Sequence, residues 1–308
     1  MKKESFVFIL FMIIAGSANA QKNLAEMLGY PGDSKLLIIH ADDMGLSQSV
    51  NAACLQAFSD MSITSGSIMV PCPWAYEMAG LIRNNTGVDA GIHLTLTAEW
   101  DRYRWDGVSS SDSIRSLLDS DGYFYRSVED VAKHVNPEEA AKEMEGQIKR
   151  AMALGVHPTH LDTHMGSVLA RPELIKIYFS LAEKYNLPVL FPRVYLSMLP
   201  KDMQEKYGKS IYLLDNLFML EPLMIKDGNW MEVYTKAVKS LKPGLNQIIV
   251  HIAFDNDEMK AISNGHDDYG SKWRQRDFDL VQSKEFRELL KANNIILISW
   301  GQVKNLMN

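Results

Sequence analysis

The chain has 308 residues, of which 46% are hydrophobic and 23% are charged, and this is the composition of a folded globular protein. The net charge is −6 and no long basic block occurs. Nucleic acid is therefore excluded as the expected partner, because phosphate binding needs clustered lysines and arginines. The length fits one large α/β domain, since α/β barrels of about 200–250 residues form single domains.

Residues 1–20 have the pattern of a signal peptide. A positively charged start precedes an apolar run at 6–14, and small residues at 18–20 stand where a signal peptidase reads the chain. We predict cleavage before Gln21, which leaves one domain at 21–308 in the periplasm or outside the cell. A membrane anchor is the alternative, but the apolar run is shorter than the about 20 residues that span a bilayer.

After the signal peptide, short apolar runs alternate with longer amphipathic stretches. We predict strands at 36–40, 67–70, 91–96, 159–164, 189–191, 247–253 and 295–300. We predict helices at 49–58, 75–82, 137–154, 172–184, 230–241 and 278–291. Strands that alternate with helices indicate βαβ units and a parallel sheet. The predicted fold is therefore α/β, a TIM-barrel-like (β/α) barrel with seven strands and a distorted shape.

Ionisable side chains occur at the downstream ends of several of the predicted strands. In a parallel α/β barrel the carboxyl ends of the strands meet on one face, where catalytic groups collect. The residues in question are Asp42, Asp43, His93, His160, Asp162, His164, Arg193 and His251. We interpret their common position as a candidate active site, because core packing does not explain five separate segments with this feature.

Two of these segments allow more than one interpretation. Asp42 and Asp43 could cap the following helix, or one carboxylate could bind a metal while the other takes a proton from water. His160, Asp162 and His164 alternate along one strand and so could share a face. Two histidines and an aspartate are an open ligand set that leaves coordination positions for water and substrate.

Three ordered motifs and a closing segment carry a family resemblance. They are HADDMGLSQSVNAACLQAF, GIHLTLT, HPTHLDTH and RDFDLVQSKEFRELLKANNIILISW. Together they resemble the YdjC/ChbG-like carbohydrate deacetylases over roughly 35–300. That family removes acetyl groups from N-acetylglucosamine units, so the resemblance implies an enzyme that hydrolyses the linear amide of an acetylated carbohydrate.

The resemblance also implies roles for individual residues. Asp43, His93 and His164 match the family's ligands for a divalent metal ion, Mg²⁺ or Zn²⁺. Asp42 matches the general base and His251 the general acid, although Ile252 stands where the family has a proline. For Asp162 and Arg193 we expect substrate binding or support of the ligands.

Several points stay open at this level. A metal-dependent esterase or phosphodiesterase and a non-catalytic exported glycan-binding protein are the rival functions. The 266–268 segment has the pattern of a solvated loop, and a homodimer is a further option. Cys54 and Cys72 could pair, because export permits disulfides, or they could be two buried thiols.

Overall fold

The computed structural model describes residues 22–225 and 229–307, so the predicted signal peptide lies outside the described residues. Its centre is a parallel sheet in the order β4-β3-β2-β1-β6-β5, with β7 paired to the start of β1. The strands are β1 Lys35–Met44, β2 Ser65–Ile68, β3 Ala90–Leu94, β4 Leu161–Thr163, β5 Asn216–Met219, β6 Gly244–Val250 and β7 Ile295–Leu297. The predicted α/β class and the parallel sheet are confirmed.

Helices connect the strands and contribute much of the hydrophobic core. They are α1 Leu24–Met27, α2 Gln48–Ser59, α3 Ala75–Asn84, α4 Val128–His134, α5 Pro137–Ala153, α6 Pro172–Tyr185, α7 Lys201–Tyr207, α8 Trp230–Ser240, α9 Asp257–Ile262, α10 Ser271–Gln282, α11 Lys284–Ala292 and α12 Trp300–Asn305. Local sequence sets their starts. The Ser47 side chain accepts from the Val50 backbone N–H at the start of α2, and Asn136 caps α5 ahead of Pro137. No helix in the described part of the chain is long and apolar enough to cross a membrane.

β1 lies at the centre of the hydrophobic core. It pairs with β2 and β7 on one edge and with β6 on the other, so its residues are covered on both faces, as a continuous apolar run predicts. Leu37 and Ile39 belong to the core beneath the helices, whereas Leu36 and Ile38 belong to a smaller apolar cluster on the inner face. The polar residues that follow in β1 are therefore held on a rigid central strand.

A closed barrel of seven regular strands is not confirmed. The predicted fifth strand at 189–191 makes only isolated bridges, from Val189 to Leu161 and from Pro192 to Leu214. Pro188 and Pro192 flank this segment, and proline has no N–H to donate to a ladder. The fifth strand of the sheet is instead β5, within a region for which the sequence predicted no element.

Two further boundaries differ from prediction at the end of the chain. The helix predicted at 278–291 is two helices, α10 and α11, because the Ser283 hydroxyl accepts from the Phe286 backbone N–H and starts a new helix. The strand predicted at 295–300 ends at Leu297, and α12 begins at Trp300. The two cysteines, Cys54 and Cys72, are buried free thiols with no disulfide between them.

Candidate metal centre and active site

The end of β1 brings two adjacent carboxylates to one cavity. Asp43 has a left-handed backbone, with φ 66°, a conformation that aspartate tolerates better than most residues. The register with β2 shifts between Ala41 and Met44, which is the kind of irregularity that redirects side chains near active sites. Neighbouring strand residues normally point to opposite faces, but Asp42 and Asp43 both line the cavity.

Asp43, His93 and His164 converge although they come from three separate segments. Asp43 Oδ1 lies 3.3 Å from His93 Nε2 and 3.3 Å from His164 Nδ1, and all three side chains are buried. Their ligand atoms lie within 4.8 Å of one another. Ligands at about 2.1 Å from a tetrahedral ion stand about 3.4 Å apart, so the spacing fits a cation at the centre.

The unpaired atom in this cluster supports the same interpretation. Asp43 Oδ1 is buried and has no hydrogen-bond partner, and a buried polar atom without a partner normally costs free energy. The other oxygen of the same carboxylate accepts a hydrogen bond from Arg274 Nη2 at 2.7 Å. One oxygen is therefore fixed and the other is directed at the two imidazoles.

Each imidazole of the cluster is oriented by a carboxylate on its far nitrogen. His93 Nδ1 lies 3.0 Å from Asp162 Oδ2, and His164 Nε2 lies 3.0 Å from Glu99 Oε2. Metal-binding histidines in proteins are commonly held this way, because the outer carboxylate fixes the ring and raises its basicity. His164 follows β4 directly, where Met165 and Gly166 have positive φ, so a tight turn places the ring beside β3.

The charges of the cluster shift the pKa values of its members. Burial lowers the pKa of His164, but Glu99 and Asp43 raise it to about 9. His93 also has a raised pKa, because Asp162 and Asp42 outweigh the effect of burial. Burial raises the pKa of Asp43, yet Arg274 and the two imidazoles bring it well below the usual range. A cation bound here would displace protons from the histidines.

Asp42 and His251 face the same cavity beside the cluster. Asp42 Oδ2 lies 4.0 Å from His251 Nε2 and 3.7 Å from His93 Nε2. His251 directly follows β6, and its backbone N–H donates to Asp277 Oδ2 at 3.1 Å. Burial lowers the pKa of His251, against the carboxylates of Asp43 and Asp42, which raise it. The ring is therefore neutral near pH 7.

The cavity has a volume of about 560 Å³, within the range of small-molecule sites. Its lining combines carboxylates and imidazoles with apolar side chains, among them Leu190, Leu217, Met219 and Ile249. A polar segment at 98–130 follows β3, and among its aromatic residues Trp100 lines the cavity. The site therefore holds both ionisable groups and apolar surface.

Two residues singled out from the sequence lie elsewhere. Arg193 bonds to Asp215 and to the carbonyl oxygens of Gly208 and Ser210, and it does not line the cavity. Its role in substrate binding stays a prediction. His160 does not share the cavity with Asp162 and His164, because its ring lies behind Asp42 and bonds to His40.

Sequence reasoning missed several residues of the site. Glu99 lies in the polar 98–130 segment, three residues past the strand predicted at 91–96, and Arg274 lies inside α10. His266 and Asp268 line the cavity although the 266–268 segment has the pattern of a solvated loop. His40 precedes the Asp pair inside an apolar run. Only its spacing of two from Asp42, which places both on one strand face, could have pointed to it.

The fold and the site define an α/β protein with a carboxylate–histidine centre at the carboxyl edge of a parallel sheet. The family model described as YdjC-like protein matches residues 36–292, and the chain belongs to this family.

Several known proteins are similar over most of the chain. A carbohydrate deacetylase of Thermus thermophilus is 31% identical over 273 residues, which are 87% of this chain and 94% of that protein. A carbohydrate deacetylase of Thermoanaerobacter pseudethanolicus is 28% identical and covers 88% of this chain and 100% of its own length. A crystal structure from Enterococcus faecalis V583, described as a cellobiose-phosphate cleavage protein, is 25% identical with a TM-score of 0.72, and the match covers 88% of this chain and 99% of that one.

Proposed function

We propose that the protein is a metal-dependent carbohydrate deacetylase that hydrolyses the acetamide of N-acetylated amino sugars. The observation that carries the proposal is the convergence of Asp43, His93 and His164 on one point beside Asp42, at the edge of the cavity. The names of its family relatives, carbohydrate deacetylases, support the same reaction.

The residues present fit a divalent cation. Asp43 Oδ1, His93 Nε2 and His164 Nδ1 would hold it, and the orphaned Asp43 oxygen is the atom that such an ion would satisfy. Two imidazoles with one carboxylate suit Zn²⁺ better than Mg²⁺, which prefers oxygen ligands. When bound, a divalent cation lowers the pKa of water and polarises a carbonyl oxygen.

The remaining residues supply the proton transfers. Asp42 Oδ2 accepts a proton from the attacking water, and His251 Nε2 protonates the departing amine nitrogen. Because His251 is neutral near pH 7, it needs a proton before it can act as an acid. Asp42 Oδ2, 4.0 Å away, is the neighbouring group that supplies it. One proton thus moves from water to the amine through two side chains.

A phosphate ester is a weaker candidate substrate. Five carboxylates line the cavity and would repel an anion, namely Asp42, Asp43, Glu99, Asp162 and Asp268. Within the described part of the chain, the one arginine that lines the cavity is Arg274, which is already paired with Asp43. These charges favour an uncharged amide or ester group over a phosphodiester.

Acetate release from N-acetylglucosamine oligosaccharides tests the proposal. Protein treated with a chelator should lose this activity and regain it with Zn²⁺ or Mg²⁺. Asp43→Asn should abolish both metal binding and turnover, whereas Asp33→Asn, at an exposed position, should change neither. Parallel assays with O-acetylated sugars and phosphodiesters separate the rival hydrolases. Sugar binding without turnover in metal-loaded protein would indicate a glycan-binding protein instead.

Export is a separate proposal. The mature protein recovered from expressing cells should begin at Gln21 and lie in the periplasm or the medium. N-terminal sequencing of the purified protein checks this, and size-exclusion chromatography of the same sample determines whether it forms a homodimer.

A further inference from the structure

A line of buried hydrogen bonds leads away from Asp42 on the side opposite the cavity. His40 Nδ1 lies 2.7 Å from Asp42 Oδ1, and His40 Nε2 lies 2.8 Å from His160 Nε2. His160 Nδ1 in turn lies 3.0 Å from Thr159 Oγ1, which donates to Asp89 Oδ1 at 2.8 Å. Both imidazoles are fully buried, so these partners are the ones that satisfy their ring nitrogens.

The donor and the acceptor of each hydrogen bond in this line can be assigned, starting from Asp89. The Asp89 carboxylate only accepts, so the single hydroxyl proton of Thr159 is used there, and Thr159 Oγ1 accepts from His160 Nδ1–H. Burial lowers the pKa of His160 well below the usual range, and His40 lowers it further. The His160 ring is therefore neutral and its Nε2 accepts a hydrogen bond from His40 Nε2–H. His40 Nδ1, on the other side of the ring, is left to hydrogen-bond to Asp42 Oδ1 at 2.7 Å.

Packing fixes both rings in place. Trp300 stacks on His160 with ring centroids 5.2 Å apart and planes at 21°. On β3, a Cβ atom added to Gly91 would lie only 2.4 Å from the His160 ring, so the ring occupies the space that a side chain there would need. His40 lies on the central strand β1, in register with Ser65 of β2. The His160 ring is therefore held between Trp300 and Gly91, and the buried His40 ring packs edge-on against it with centroids 4.9 Å apart.

We propose that His40 is a positioning residue for Asp42, fixed in turn by His160. His40 Nδ1 is hydrogen-bonded to Asp42 Oδ1. The other oxygen, Asp42 Oδ2, therefore faces His93 Nε2 at 3.7 Å and His251 Nε2 at 4.0 Å. The inference rests on the proposed function, in which Asp42 accepts the proton of water. His40 thus determines which oxygen of the base is available and at what angle.

Kinetics of two variants at His40 test the role. His40→Ala should lower kcat for acetate release about 10- to 100-fold, as loss of an outer partner does in other metal sites, with little change in KM. In His40→Asn the amide can donate from a position near Nδ1, so most of kcat should return although the bond to His160 is gone. Thr64→Val is the matched control. It removes a hydroxyl bonded to the Ile39 backbone on the same strand and should leave kcat unchanged.

Equal kcat in His40→Ala and wild type would overturn the inference. So would equal losses of kcat in both His40 variants that parallel their loss of thermal stability, because this would indicate packing alone. If the wild type releases no acetate, the proposed function fails, and a readout independent of activity is then decisive. In ¹⁵N-histidine-labelled protein we expect a coupling between the two Nε2 atoms across their hydrogen bond and a neutral His160 protonated on Nδ1. Absence of the coupling, or a His160 protonated on both nitrogens, would overturn the hydrogen-bond assignment.

Discussion

Arg274 Nη2 donates to Asp43 Oδ2 at 2.7 Å, and both side chains are almost completely buried. This pair joins α10 to the end of β1, two elements far apart in the chain. It also divides the Asp43 carboxylate into one oxygen that serves the fold and one that faces the histidines. Arg274 in addition donates Nε to the Tyr269 carbonyl and lies over the Trp100 ring.

The first prediction concerns this buried pair. Asp43→Ala leaves Arg274 as an uncompensated buried charge, so we expect the free energy of unfolding to fall by about 3–5 kcal/mol. The double variant Asp43→Ala/Arg274→Met should be more stable than Asp43→Ala alone, because the isolated charge is gone. Urea unfolding in the presence of chelator measures both. A double variant no more stable than Asp43→Ala would mean that Arg274 stabilises the fold through contacts other than Asp43.

The second prediction concerns Glu99, the carboxylate hydrogen-bonded to the His164 nitrogen that does not face Asp43. Glu99→Ala removes the partner of His164 Nε2, and we expect metal affinity to fall about 10- to 100-fold. Glu99→Gln should give a smaller loss, since an amide oxygen can still accept from the ring without the charge. Titration with Zn²⁺ measures the affinities, and Glu173→Gln, at an exposed position, is the control. Unchanged affinity in Glu99→Ala would remove Glu99 from the metal centre.

The third prediction concerns the proton donor. His251→Gln keeps a polar side chain of similar size but cannot transfer a proton, so kcat should fall about 10²- to 10⁴-fold. KM should change little, because the metal cluster and the apolar residues that line the cavity remain in place. Steady-state kinetics on an N-acetylglucosamine oligosaccharide measure the split, with exposed His157→Gln as the control. A loss confined to KM would assign His251 to substrate binding.

The fourth prediction concerns pH and the support beneath His251. Burial raises the pKa of Asp277 to about 6, against hydrogen bonds from Trp230, the His251 backbone and Tyr234, which lower it. A raised folded-state pKa favours the protonated carboxyl, so its stabilising contribution is complete below about pH 4 and is lost as the pH rises through about 6. The difference from the ordinary value corresponds to at most about 3 kcal/mol.

Asp277→Asn isolates this contribution, because an amide cannot titrate. The altered hydrogen bonds of the variant change its free energy of unfolding by the same amount at every pH. Between pH 4 and pH 7 the free energy of unfolding of the wild type should fall relative to that of the variant. Urea unfolding of both proteins at pH 4.5 and pH 7.5 measures the change. A stability difference that does not vary with pH would show that Asp277 is ionised throughout this range.

Several helices and strands could be predicted because the residues within them carry the pattern that indicates them. The amphipathic stretches of α2, α5 and α6 were predicted close to their observed bounds, and so was the start of β1. The predicted end of β1 was wrong, because the strand continues past residue 40 through the two aspartates to Met44. The elements that were missed depend on distant partners. β5 has no strong pattern of its own, and Asn216–Met219 becomes a strand because it pairs with β6.

The same division holds for the site. The alternation of strands and helices was enough to predict that Asp42, Asp43, His93, His164 and His251 reach one edge of a parallel sheet. Three contacts could be found only in the folded chain: Arg274 with one oxygen of Asp43, Glu99 with His164, and His160 with His40 behind Asp42. Each of these contacts joins residues that are far apart in the sequence. Their geometry therefore depends on how the strands and helices pack together, and no local sequence pattern reports it.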